Sequence, residues 1–181
     1  LQQLGAEVQG YALAPPSEPN LFDLAHVGEG MLATRGDVGD LAHLRRVITD
    51  FKPEIVIHLA AQSVVRVSYE EPVRTFATNV LGSAHLMEAV RQVSGVRAVV
   101  MVTSDKCYSN REWVWGYRET DALGGNDPYS SSKACAELVA ASYRHEYFNP
   151  AAYPGHGVAL ATARAGNVIG GGDWKRDALV P

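Results

Sequence analysis

Tyr129 and Lys133 lie four residues apart in the segment Asp127-Pro128-Tyr129-Ser130-Ser131-Ser132-Lys133. Asp127 is a favourable N-cap and Pro128 suits the first helical position, so the sequence predicts that a helix begins here. Residues i and i+4 share a helix face, which places the phenol beside the ammonium. A close positive charge lowers the pKa of a tyrosine, so the pair could move a proton at an alcohol carbon near neutral pH. Taken alone, the pair is more often a surface tyrosine and a solvated lysine, so the rest of the chain decides.

Three apolar runs predict strands buried on both faces of a parallel sheet: Ile55–Ala60, Val99–Val102 and Val158–Ala163. Shorter strands are predicted at 6–13 and 31–34. Helices are predicted from Asp37 to about residue 51, from about 72 to 92 and from 128 to about 148. Strands that alternate with helices indicate an α/β fold, a Rossmann-like doubly wound parallel sheet.

Ligands of such sheets bind beyond the carboxyl ends of the strands. Polar or small residues follow three of the predicted strands, at 60–62, 103–108 and 165–172. We therefore expect one site at this edge of the sheet. Ser104 and Asp105 could instead be ordinary turn or capping residues, because serine and aspartate favour such positions.

The composition limits the possible partners. The 181 residues carry a net charge of -4, which argues against nucleic acid, and they contain no apolar run long enough to span a membrane. Two cysteines, Cys107 and Cys135, and six histidines lack metal-ligand spacing, so we predict no metal, buried free thiols and a cytoplasmic protein. His58, on a buried strand, is expected to be a satisfied core residue.

Both ends of the chain predict a truncated domain that covers 1–181, with a substrate-binding region that starts at about 165–181. The first residues read as the last turn of a helix that Gly5 ends. No Gly-x-Gly-x-x-Gly follows a strand, so we expect the phosphate-binding glycines of a dinucleotide site to precede Leu1.

Several segments, in this order, resemble the extended short-chain dehydrogenase/reductase family. They are Gly36-Asp37-Val38, His58-Leu59-Ala60-Ala61-Gln62, Thr78-Asn79-Val80-Leu81-Gly82, the Tyr129/Lys133 pair and Arg164-Ala165-Gly166-Asn167-Val168. Within that family the chain is most similar to the nucleotide-sugar 4,6-dehydratases. Ser104-Asp105-Lys106 stands where most of them have Thr-Asp-Glu, and together with the tryptophan-rich loop after it this resembles the branch that acts on CDP-glucose.

The resemblance implies a nucleotide-sugar substrate, a homodimer and a place in deoxysugar and lipopolysaccharide O-antigen biosynthesis. It implies that Tyr129 removes the C4 hydroxyl proton, Lys133 holds the phenolate and the nicotinamide ribose, and Ser104 bonds the C4 oxygen. Asp105 would protonate the C6 hydroxyl as water leaves across C5–C6, and Lys106 would deprotonate C5 or orient Asp105. The remaining implied cofactor-binding residues are Asp37, Val38, Leu59, Ala60, Ala61, Gln62, Asn79 and Thr103, and Asn167 is implied to bind the substrate diphosphate.

Alternatives stand beside these roles. Asp37 could simply cap its helix, Asn79 could face solvent, and the tryptophans at 113 and 115 could fill a core or cover the substrate. The expected acidic ribose ligand is absent from Leu13-Ala14-Pro15-Pro16, so NADP stays open, although a redox cycle that restores itself favours NAD. The chain could also be another nucleotide-sugar dehydratase, a 4-epimerase, or a non-catalytic Rossmann-like binding protein.

Overall fold

The structure, a computed structural model, describes residues 1–174, and these form two compact units. One unit contains Leu1–Asp37 and the described residues from Asn167 onward, and the other contains Val38–Gly166. The expected start of a substrate-binding region at 165–181 stays a prediction, and its last seven residues, 175–181, lie outside the described residues.

The first unit contains a pair of parallel strands, β1 (Gln9–Ala12) and β2 (Leu32–Arg35), with a short helix α1 (Leu21–Leu24) between them. Gly5 ends the 3-10 turn Gln2–Leu4 with a φ of 82°, as the sequence predicts, because glycine adopts this left-handed conformation without a steric penalty.

The second unit is built on a parallel sheet of three strands in the order β3 (Ile55–His58), β4 (Ala98–Val102) and β5 (Ala159–Ala163). Ile55 pairs with Ala98, and Ala98 pairs with Ala159. Its helices are α2 (Leu41–Phe51), α3 (Val65–Glu70), α4 (Pro72–Phe76), α5 (Gly82–Arg91), α6 (Pro128–Glu146) and α7 (Tyr153–His156). A π-helical turn, Ala77–Leu81, joins α4 to α5.

The prediction that the strands are buried on both faces is wrong for β3 and β5, whereas the second face of β4 is half-buried. The face with Val99, Met101 and Leu160 is buried, and α5 and α6 reach it through their side chains. On the opposite face Ile55 is 62% exposed and Ile57 is 45% exposed. Alternate residues of a strand point to opposite faces, and an apolar sequence does not say which face has a partner.

Two helix boundaries also differ from the prediction. The first long helix begins at Leu41 rather than at Asp37, because the Asp40 carboxylate accepts the His43 N–H at 2.9 Å and caps it. The stretch predicted as one helix from about 72 to 92 is interrupted by the π-helical turn, and α3, for which no helix was predicted, precedes it. None of the described helices is long and apolar enough to cross a membrane.

Candidate active site

The start of α6 follows the sequence prediction closely. The Asp127 side chain accepts from the Ser130 backbone N–H at 2.9 Å and from the Ser130 hydroxyl at 2.5 Å. Gly125 lies against this turn, and a Cβ there would lie 2.5 Å from the carbonyl carbon of Ser130. The close approach therefore requires glycine, and the chain before the helix packs directly on the first turn.

Tyr129 is buried on α6, which packs against the turn after β4, and Ser104 in that turn is close enough to act on the phenol. Burial raises the pKa of Tyr129 above its ordinary value, the Ser104 contact lowers it, and the nearby Asp105 and Asp127 carboxylates raise it further. The net shift is upward, so the expectation that a close cation lowers this pKa is wrong for the structure as it stands. Desolvation penalises the phenolate, and the Lys133 charge does not offset that penalty.

Lys133 is also buried, one turn further along the same helix. Its Nζ donates to the Val102 carbonyl oxygen at 3.4 Å, and burial lowers its pKa. Burial and, to a smaller extent, the Lys133 charge lower the pKa of His58 to about 4. His58 is therefore neutral near pH 7, and its Nε2 lies 3.2 Å from the Ser83 hydroxyl, which confirms the expected satisfied core histidine.

Ser104, Asp105 and Lys106 follow β4 after one residue, Thr103, and form one turn. The Ser104 hydroxyl accepts from Lys106 N at 3.2 Å and donates to Asp105 Oδ1 at 3.0 Å. Asp105 N donates to the Ala165 carbonyl at 2.9 Å, which ties this turn to the chain after β5. Ser104 is buried, whereas Asp105 and Lys106 are exposed. The capping interpretation of Ser104 is correct, and the same hydroxyl also faces Tyr129.

Asn79 lies in the π-helical turn and is buried, so the solvent-facing alternative is wrong. Its side chain accepts from Gln62 N at 2.8 Å and donates to Gln62 O at 3.0 Å and to Ser132 Oγ at 2.8 Å. One amide thus joins the segment that follows β3 to the helix that carries Tyr129. π-helical turns inside α-helices are frequent at functional sites.

The other predicted cofactor residues divide between the units. Ala60 and Ala61 are half-buried after β3, Leu59 is exposed, and the carbonyl of buried Val38 lies 3.0 Å from His85 Nδ1. Asp37 and Asn167 belong to the first unit. The second unit therefore brings together four of the predicted site residues, Ser104, Asp105, Tyr129 and Lys133. Asp37 and Asn167 are not part of that unit.

The loop after the site exposes its tryptophans, so the core-filling alternative is wrong for both Trp113 and Trp115. An open cavity of about 1170 Å³ in the second unit is lined by Asp105, Lys106, Tyr108 and Tyr117 among others, while Ser104, Tyr129 and Lys133 do not line it. Within residues 1–174 no group of histidine, cysteine and carboxylate side chains could hold a metal ion. Cys107 is buried, as expected, but Cys135 is only half-buried.

One residue of the site region escaped the sequence analysis. Glu137 lies one turn after Lys133 on the same helix face and is 4% exposed, with Arg164 Nη2 at 2.9 Å. The i+4 spacing of Glu137 from Lys133 places both residues on one helix face and could have indicated a role in the site. A glutamate in such a position is ordinarily solvated, however.

A parallel α/β unit with a Tyr-x-x-x-Lys helix beside the strand end that carries a serine is the arrangement of the extended short-chain dehydrogenases/reductases. Residues 17–153 match the family described as GDP-mannose 4,6 dehydratase, and the chain belongs to that family. The chain is 58% identical over all 181 residues to a CDP-glucose 4,6-dehydratase of Salmonella typhimurium strain LT2, of which it covers 50%.

Solved structures agree on the fold. A dTDP-glucose 4,6-dehydratase of Streptomyces venezuelae, crystallised with NAD and DAU bound, superimposes with a TM-score of 0.71 at 27% identity, over 86% of this chain and 45% of that one. A UDP-glucose 4-epimerase of Thermotoga maritima with UDP-glucose gives a TM-score of 0.79 at 23% identity, over 94% of this chain and 51% of that one. The chain thus spans about half the length of the proteins it matches.

Proposed function

We propose that this chain is the catalytic part of a nucleotide-sugar 4,6-dehydratase that converts CDP-glucose to CDP-4-keto-6-deoxyglucose. The observation that carries the proposal is that α6, with buried Tyr129 and Lys133, packs against the turn after β4 that carries Ser104 and Asp105. Lys133 Nζ lies 3.4 Å from the Val102 carbonyl oxygen, and Ser104 and Asp105 are both close enough to act on the phenol. A 4-epimerase has no use for the acid at 105. The identity to the Salmonella relative supports CDP-glucose as the substrate.

NAD is the proposed cofactor, and the residues present fit it. Lys133 has three N–H donors, and its hydrogen bond to the Val102 carbonyl is long, so it can also donate to ribose hydroxyls. Ala60 and Ala61 have small side chains, which let a ligand approach the backbone after β3. NAD when bound accepts hydride from C4 and returns it to C6, and the Streptomyces dehydratase, which was crystallised with NAD, supports this choice.

Tyr129 and Ser104 act at the C4 hydroxyl. The Tyr129 phenolate takes the hydroxyl proton, and the Ser104 hydroxyl donates to the C4 oxygen. Because burial raises the pKa of Tyr129, the phenolate needs compensation near pH 7. Lys133, one turn away on the same face, supplies a positive charge for this purpose when its ammonium turns from the Val102 carbonyl toward the phenol.

Asp105 and Lys106 act on C5 and C6. The exposed Asp105 carboxyl group donates a proton to the leaving C6 hydroxyl, and the ketone at C4 makes the C5 proton acidic. Lys106 follows Asp105 in the same turn, where its amine removes the C5 proton as Asp105 protonates the leaving hydroxyl. The product is a precursor of deoxysugars. We propose that the enzyme takes part in deoxysugar synthesis, including that of O-antigen sugars. We also propose that it is a cytoplasmic homodimer.

The test uses the full-length protein with CDP-glucose and NAD, and with the Asp105→Asn and Lys106→Glu variants. We expect wild type to form the 6-deoxy product, Asp105→Asn to lose dehydration by about 100-fold or more, and Lys106→Glu to be impaired. Unchanged dehydration in both variants contradicts the proposal, as does formation of a 4-epimer by wild type.

A further inference from the structure

The Glu137 carboxylate sits where three elements of the second unit meet. Its Oε1 accepts from the Thr103 hydroxyl, and its Oε2 accepts from the Thr162 hydroxyl at 3.0 Å and from Arg164 Nη2 at 2.9 Å. These donors come from the residue that follows β4, from β5 and from the residue that follows β5. A nearly buried carboxylate with three side-chain donors is an expensive arrangement unless every donor is in place.

The three donors stabilise the charged form of the Glu137 carboxylate. Burial raises the pKa of Glu137, but the hydrogen bonds from Arg164, Thr103 and Thr162 outweigh burial and keep the pKa below its ordinary value. The nearby Cys107 thiol has its pKa raised to about 11, first by burial, and stays neutral. Arg164 is therefore the charged partner that faces Glu137.

Thr103 immediately precedes Ser104, and its N–H donates to the Ala163 carbonyl at 2.9 Å. Glu137 lies on α6 two turns after Tyr129. The Thr103–Glu137 hydrogen bond is thus a direct link between the strand end that carries Ser104 and the helix that carries Tyr129. Thr162 makes the same kind of bond from β5 but has no catalytic neighbour in the chain.

We propose that Glu137 is a positioning residue that holds the Ser104 hydroxyl against Tyr129 by tying α6 to the end of β4. The proposal rests on the function proposed above, because Ser104 and Tyr129 are the groups assigned to the C4 hydroxyl. Arg164 extends the tie: its Nη1 donates to the Glu119 carbonyl at 3.1 Å and its guanidinium lies 4.8 Å from the Tyr108 ring centroid.

The test compares Thr103→Val with Thr162→Val in the full-length enzyme. Both changes keep the side-chain shape and remove one hydroxyl donor from Glu137. We expect Thr103→Val to lower kcat by about tenfold or more at neutral pH with KM changed less than about twofold, because a small misplacement of reacting groups is costly. Thr162→Val should stay within about twofold of wild type, and Thr103→Ser, which keeps the hydroxyl, should restore kcat.

A second measurement is independent of turnover. Thr103→Val loosens the Ser104 contact that lowers the pKa of Tyr129, while the Asp105 and Asp127 carboxylates stay in place. We expect this pKa to rise, because the contact that lowers it is weakened. It is read by NMR of isotope-labelled tyrosine, with the Tyr129 resonance assigned from Tyr129→Phe.

Equal losses of kcat in Thr103→Val and Thr162→Val overturn the proposal. It is also overturned if thermal melting and active-site titration show that the lower kcat of Thr103→Val comes entirely from unfolded enzyme. An unchanged Tyr129 titration in Thr103→Val overturns it as well. A wild-type protein without dehydratase activity refutes the proposed function instead, and the NMR titration then still reports whether Glu137 holds Ser104 against Tyr129.

Discussion

Replacing Asn79 with alanine tests the connection between the sheet edge and the Tyr129 helix. The Asn79 side chain makes three hydrogen bonds, two to the backbone of Gln62 and one to Ser132. Each is worth about 1 kcal/mol net, and a buried group left without its partner costs more than an average bond. We therefore expect Asn79→Ala to lower the free energy of unfolding by about 3 kcal/mol.

The assay is urea unfolding of the full-length protein followed by circular dichroism. With a slope of about 2 kcal/mol per molar urea, the midpoint should fall by about 1.5 M. Asn149→Ala is the matched control, because Asn149 caps a short turn with exposed hydrogen bonds and should cost about 1 kcal/mol or less. A midpoint for Asn79→Ala no lower than that of Asn149→Ala refutes the reasoning.

Three further outcomes follow from the site. Removing the proposed base with Tyr129→Phe should lower kcat by about 100- to 10,000-fold while NAD still binds, as kinetics and calorimetry would report; near-normal turnover contradicts the role. Burial and the Lys133 charge lower the pKa of His58 from 6.5 to about 4 in the folded protein. As the pH drops from 6.5 to 4, the unfolded chain therefore binds a proton at His58 before the folded protein does, and the free energy of unfolding should fall. His58→Gln should flatten this dependence by up to about 3 kcal/mol in pH-dependent unfolding, and parallel curves for both proteins count against it. Alkylation at mildly alkaline pH, mapped by mass spectrometry, should modify half-buried Cys135 ahead of Cys107, whose pKa is raised to about 11; the reverse order contradicts the burial of Cys107.

The sequence predicted those features that depend on residues adjacent in the chain, such as helix starts and strand positions. Asp127 and Pro128 marked the start of α6 correctly, because an N-cap acts within its own first turn. The three strand positions of the second unit were also predicted, since β-branched apolar runs favour strands wherever they lie. The first long helix was predicted to start too early because Asp37 and Asp40 are both suitable caps, and Asp40 is the one that caps α2.

Features that depend on contacts between distant residues could not be predicted from the sequence. The partners of Glu137 come from residues 25 to 34 positions away, and no local pattern indicates such a cluster. The upward pKa shift of Tyr129 depends on burial, which opposes the effect of a close cation. Whether Ile55 and Ile57 have a covering partner is likewise set by other parts of the fold.

The central claim is that Tyr129, Ser104 and Asp105 together carry out dehydration at one site. The most direct test gives the full-length protein CDP-glucose that carries deuterium at C4, with NAD, and locates the label in the product by NMR. We expect a 4-keto product with the deuterium in its C6 methyl group. Deuterium retained at C4 in an inverted sugar, or in unreacted CDP-glucose alone, would contradict the claim.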